Sequence, residues 1–220
     1  MKIAIMQPYF LPYLGYFQLM DAVDLWVNMD HATFIKKGFM HKNNVAENHI
    51  IRVPLLGASQ NLNTREIKVD YSSKLLHKLS TTLEHRYSKA PYYEVGKSIL
   101  EKCIKSKPDN LSTFNWHLIQ QIHSYLEMET KLVETSIGLT SLKKADGMID
   151  IAQKFEANEI LNPIGGAQLY DKSYFKERGL AIHFLNMVVK SEEDQWSIFH
   201  HLCHYSADHI KQRLTEFELS

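Results

Sequence analysis

The sequence predicts an α/β fold: one mainly parallel sheet with helices on both faces, a β-hairpin and a three-helix insertion. Three observations predict it. Ile3-Ala4-Ile5-Met6 is apolar without polar alternation, as a strand covered on both faces must be. Over residues 132–185 strand-like and helix-like periods alternate, giving two successive βαβ units that pair in parallel through right-handed crossovers. Between these regions, residues 72–128 or thereabouts carry helical spacing alone.

Taken in order, the first strand stops at Gln7-Pro8, because proline has no N–H to extend a ladder. Leu14, Phe17, Leu19 and Met20 trace a short helical stripe, and residues 24–30 alternate again as a second strand. Residues 31–48 form a polar segment longer than an ordinary connection, a mark of function or mobility. Residues 50–56 and 65–69 alternate on either side of Gly57 and predict the hairpin, its first strand placed near an edge by Pro54. Leu75, Leu79 and Leu83 sit four apart, as do Val95, Ile99 and Cys103, then Phe114, Leu118 and Ile122: three helices, the third capped by Asp109-Asn110. A strand over 132–137, a helix over 145–155, a strand over 159–161, a helix near 168–177 and a strand over 181–185 follow. Ser191-Glu192-Glu193-Asp194 reads as a capping box ahead of a terminal helical pair carrying Trp196, Phe199, Leu202, Ile210 and Leu214. With no internal repeat, residues 1–220 are expected to form one domain.

Composition narrows the function classes. The 220 residues are 45% apolar, and 25 Lys+Arg balance 25 Asp+Glu, so no global field attracts a polyanion and nucleic acid is not expected as the main partner. Cys103 and Cys203 stand alone, without the spacing of a disulfide scaffold or a thiolate zinc site. No apolar stretch approaches the ~20 residues of a membrane span, and the N-terminus enters a strand with no leader-like cleavage site. The expectation is a cytoplasmic protein.

Three segments carry candidate chemistry. Gln7-Pro8-Tyr9-Phe10-Leu11-Pro12-Tyr13-Leu14-Gly15-Tyr16 leaves the C-terminal end of the first strand and opens a helix, the place where open α/β sheets bind ligands. Two prolines stiffen it and Gly15 allows a close approach. After the second strand, His31, Lys36, Lys37, His41, Lys42 and Asn43 gather around Phe34 and Phe39, a mixture suited to a phosphate or sugar nucleotide. After a third parallel strand, the Gly165-Gly166 turn runs towards a helix at the same sheet edge. His200, Cys203 and His204 share a helix face, but no nearby carboxylate completes a ligand set, so no metal is expected. No GxSxG, P-loop or HExxH occurs.

These segments resemble the WbqC-like family of bacterial proteins: MKIAIMQPYFLPYLGYF at 1–17, DLWVNMD with FIKKGFMHKNNV at 34–45, RVPLLG at 52–57, and NPIGGAQLYDKSYF at 162–175 ahead of RGLAIHF. The family usually has a second Asp after that of the second strand, and an Asn-Arg-Asn-Arg-like run. Here His31 follows Asp30, and His41-Lys42-Asn43-Asn44 replaces the run. The resemblance implies surface-polysaccharide (O-antigen) biosynthesis, and transfer of a glycyl or similar acyl group to an amino sugar. Pro12-Tyr13-Leu14-Gly15-Tyr16 also resembles the HxGH signature of nucleotidylyltransferases with tyrosines for histidines, which implies a Rossmann-like fold and leaves ATP open as a cofactor.

The expected function is acylation of a nucleotide-linked amino sugar by an activated acyl donor. The candidate catalytic residues are His31 or His41 as base, with backbone N–H groups after Pro8 or the Lys36/Lys37 pair as oxyanion donors. The candidate binding residues are Gln7, Pro8, Tyr9, Tyr13, Gly15, Tyr16, Lys37, Lys42, Asn43, Gly165 and Gly166. The rivals are an ATP-using adenylate-forming enzyme and a non-catalytic member of a polysaccharide assembly complex. A homo-oligomer is left open.

Overall fold

A computed structural model describes residues 1–46, 49–135, 138–140 and 144–220. The chain runs β1 (Lys2–Met6), α1 (Leu14–Asp21), β2 (Leu25–Asn28), β3 (Lys42–Ala46), β4 (His49–Arg52), β5 (Leu55–Leu56) and β6 (Lys68–Val69). The insertion follows as α2 (Lys74–Tyr87), α3 (Tyr93–Ser106) and α4 (Leu111–Tyr125). Then come β7 (Lys131–Val133), α5 (Lys144–Lys154), β8 (Glu159–Pro163), α6 (Lys172–Lys176), β9 (Ala181–Met187), α7 (Ile198–His204), α8 (Ala207–Leu214) and β10 (Phe217–Leu219).

Six strands form one sheet in the order β10-β9-β8-β1-β2-β7, parallel except where β10 runs against β9. From β1 the chain steps outward through β2 to β7, then returns to β8 on the other side of β1. That reversal is the Rossmann-like switch point, and it opens a crevice beyond the C-terminal ends of β1 and β8. The unbroken apolar run of β1 follows from the two cores it separates. Ile3 and Ile5 face α5 and α6 with Val27, Ile160 and Ile182, while Ala4 faces α1 and the insertion with Trp26 and Leu161.

The polar stretch after β2 departs from its sequence reading. Its second half forms β3, which pairs antiparallel with β4, so there are two small hairpins, the other being β5 with β6. The alternation was hidden because one inward position of β3 is an asparagine, Asn43, beside the buried Val45. Pro54 separates β4 from β5. The expected strand over 132–137 is shorter, Lys131–Val133, with 134–135 outside it and 136–137 outside the described residues. The helix expected near 168–177 is shorter, starting at Lys172 where the Asp171 carboxylate accepts the Ser173 N–H at 2.9 Å. The Asn110 cap holds, its side chain accepting the Thr113 N–H at 2.9 Å. The capping box also forms, but around a 3-10 turn, Glu192–Gln195; α7 begins later, capped by Ser197.

No helix among the described residues is long and apolar enough to cross a membrane.

Candidate functional site

The β1–α1 connection is pinned from four directions. Asn115, fully buried on α4, donates from Nδ2 to the carbonyls of Pro8 (2.9 Å) and Met40 (2.7 Å). Asn43 on β3 donates to the carbonyls of Phe10 (3.3 Å) and Leu11 (2.7 Å). Ser197 donates from Oγ to Leu11 O at 2.7 Å, and the Ile198 N–H donates to Pro12 O at 2.7 Å. The Phe10 N–H donates to Phe39 O at 2.9 Å, joining the loops after β1 and β2 directly. So many restraints hold Leu11 in the left-handed region (φ 42°), which a leucine adopts only when its surroundings over-determine it.

A Cβ on Gly15 would lie 2.5 Å from the Tyr13 ring, so a larger residue there has to displace that ring. The Tyr13 ring therefore lies across the first turn of α1. Tyr16 packs edge-on against Trp26 at 4.8 Å and donates its hydroxyl to Gln7 O at 3.0 Å. Burial raises the phenol pKa values of Tyr9, Tyr13 and Tyr16, and the Tyr13 phenol adds to the effect at Tyr9. All three remain neutral hydrogen-bond donors at pH 7.

At the β8 end, Gly166 lies against Asn162: a Cβ there would sit 3.1 Å from its side-chain oxygen, so a larger residue makes that amide give way. Between the β1 and β8 exits lies a cavity of about 480 Å³. Tyr9, Tyr13, Tyr16, Phe39 and Tyr170 supply aromatic walls, and Met6, Met29 and Met148 an apolar floor. Gln7 and Asn162 bring amides, and Gly165 and Gly166 bring backbone. Among the described residues, no Lys, Arg, His, Asp or Glu lines it. A larger open groove of about 880 Å³ runs between α3 and α4, but it lies away from the strand ends.

Charge collects beside the cavity, where β2 ends. Met29 lines the cavity, and its N–H donates to Met6 O at 2.8 Å. The next residue, Asp30, is buried and ion-paired with Arg65 from the loop before β6. Thr135 donates to Asp30 Oδ2 at 2.6 Å, Thr64 donates to Asp30 O at 2.8 Å, and His31 Nδ1 lies 3.8 Å from Asp30 Oδ1.

Of the residues expected at the site, Gln7, Tyr9, Tyr13, Tyr16, Gly165 and Gly166 share the cavity, while Pro8 and Gly15 shape the loop that walls it. Lys36 and Lys37 are exposed on the loop that carries Phe39. His31 stands at the Asp30 cluster. His41 packs its ring on Phe34 at 5.2 Å, and burial, then Lys42 and Arg52, push its pKa down to about 4, so its imidazole is neutral at pH 7. Lys42 is half-buried at the start of β3. Asn43 has its amide engaged with the backbone of the first loop, which makes it a positioning residue. His200, from the histidine-cysteine group, packs against His204 (4.4 Å), meets Trp196 edge-on (4.9 Å) and contacts the Tyr87 hydroxyl at 3.3 Å.

Asn162, Tyr170, Arg65 and Asn115 were not anticipated. Asn162 and Tyr170 lie in the segment around Gly165-Gly166 and were open to inference from it; Arg65 and Asn115 arrive from distant elements.

Comparison with known proteins gives two findings. The sequence pattern described as the WbqC-like protein family matches residues 7–202. A Mycobacterium tuberculosis (strain ATCC 25618 / H37Rv) protein described as "Uncharacterized protein Rv1507c" is 22% identical over 196 residues, covering 82% of this chain and 80% of the relative. No solved structure matches.

Proposed function

The chain belongs to the WbqC-like protein family, and we propose that it acts in surface-polysaccharide (O-antigen) biosynthesis, acylating the amine of a nucleotide-linked amino sugar. The observation that carries this reading is a neutral aromatic cavity at the switch point whose β2 edge runs into the Asp30, His31 and Arg65 cluster. Aromatic walls with a few fixed hydroxyls and amides suit a sugar or nucleobase ring. Phosphates belong outside such a cavity, and Lys36 and Lys37 are exposed on the loop that brings Phe39 to it.

In this reading the amine nitrogen attacks the carbonyl carbon of an activated acyl donor, a thioester or acyl phosphate. The amide C–N bond forms, and the C–S or C–O bond to the carrier breaks. His31 takes the proton from the nitrogen and returns it to the departing group. Asp30 orients the imidazole from its Nδ1 side, and Arg65 and Thr135 hold the carboxylate in place. His41 suits the role less, because its imidazole is a weak base packed on Phe34. A triphosphate fits the cavity less well than a ring, since its lining offers no cation among the described residues.

Two measurements test the proposal. Isothermal titration with a panel of uridine- and thymidine-diphosphate amino sugars should find a ligand, and Lys36→Ala should weaken it by about 1.5–3 kcal/mol, the worth of a hydrogen bond to a charged group. His31→Asn should retain that binding and lose product formation with an acyl donor by about 100-fold or more. If the panel is silent while ATP binds and stabilises the protein, the adenylate-forming alternative replaces this one. Unchanged turnover in His31→Asn removes His31 from the mechanism.

A further inference from the structure

We propose that the cavity mouth is a docking surface for an anionic phospholipid bilayer. Exposed apolar side chains scattered singly are ordinary on a protein surface, but a group around one opening is not. Phe39 (51% exposed), Ile164 (44%) and Leu169 (76%) all line the cavity and all project to solvent. A volume of about 480 Å³ is a space about 10 Å across, so the three tips belong to one small cavity. Ile35 (45% exposed) lies on the same loop as Phe39, its Cγ2 3.1 Å from where a Gly38 Cβ would be.

The charge beside these tips is locally basic among the described residues: exposed Asp171 and Lys172, which follow the facing segment, cancel, and two lysines are left. Lys36 and Lys37, both exposed, lie between Ile35 and Phe39, and the facing segment Ile164–Gly166 with Ala167, Gln168, Leu169 and Tyr170 carries no charged residue. The chain as a whole is neutral, so this is a local arrangement. Protruding apolar tips from two loops, with lysines whose stems can lie along them, match the boundary between acyl chains and anionic headgroups. An acidic protein partner would account for the lysines but leave Leu169 and Ile164 to be covered by an apolar surface that nothing here indicates. The proposal goes beyond the acyltransferase reading and does not depend on it.

Flotation with vesicles of phosphatidylcholine alone, and with one third phosphatidylglycerol, tests it without any sugar substrate present. Retention is expected on the anionic vesicles only, with release at about 0.5 M salt. Lys36→Ala and Lys37→Ala should each weaken it roughly fivefold, and Leu169→Ser severalfold with thermal stability unchanged. Lack of retention on anionic vesicles, or equal retention of all variants, overturns the proposal. A wild-type dimer converted to monomer by Leu169→Ser would make the patch an interface between copies and likewise overturn it.

Discussion

Asn115→Ala is expected to lower the unfolding free energy by about 2–4 kcal/mol, though the residue lies in the insertion and not at a strand end. Its amide is fully buried and bonded to two carbonyls, those of Pro8 and Met40. Removing it leaves both carbonyls without that donor, at roughly 1–3 kcal/mol for each buried group left unsatisfied. Part of the cost is recovered because Asn115 Oδ1, itself buried without a partner, disappears as well. Asn115→Asp should cost at least as much, since a carboxylate cannot donate and would face two carbonyl oxygens. The affected carbonyls belong to the loops after β1 and β2, so hydrogen exchange should quicken at Phe10, whose N–H bonds Phe39 O across them. Urea unfolding within about 0.5 kcal/mol of wild type for both variants would show that the clamp contributes nothing.

That dependence on a distant side chain shows where the sequence was legible and where it was not. β1 could be read because a strand between two cores needs apolar residues on both faces, and β2 because residues 24–30 alternate. From that reading the cavity follows: strands in parallel present their loops at one edge, so the tyrosine loop and the Gly165-Gly166 turn had to meet there. β3 could not be read, because the residue it turns inward is Asn43, polar in sequence but consumed by backbone carbonyls in the fold. β10 is three residues long and pairs at the sheet edge, too short for any periodicity to register. Arg65 reaches Asp30 from 35 positions away, and Asn115 reaches Pro8 from 107, separations that no local pattern encodes. The capping box at Ser191 was a true local signal attached to the wrong element, since a 3-10 turn presents the same orphan N–H groups as a helix does.

Acidification from pH 7 to pH 5 is expected to destabilise the protein by roughly 2 kcal/mol for each of His200 and His201. Both are buried on α7, and both have pKa values pushed down to about 4. Burial is the main cause for each; for His200, His204 and then His201 add like charge, while Glu193 opposes it from 3.5 Å. For His201, the hydrogen bond with Glu193 O (3.0 Å) and the Asp194 charge oppose burial, and Arg213 reinforces it. The unfolded chain takes up a proton at each imidazole near pH 6.5, whereas the folded chain resists until about 4. Between those values the unfolded state binds more protons, so the stability contributed by the neutral pair is complete above pH 6.5 and lost progressively as pH falls towards 4. This window lies above the range in which carboxylates with lowered pKa, such as Asp194, take up protons, so the two processes separate. Urea unfolding at pH 7, 6 and 5 should show the decline in wild type and a much flatter profile in a His200→Gln, His201→Gln double variant. A wild-type profile that is level from pH 7 to 5, or a double variant that declines just as steeply, would mean that these histidines do not set the acid limit of the fold.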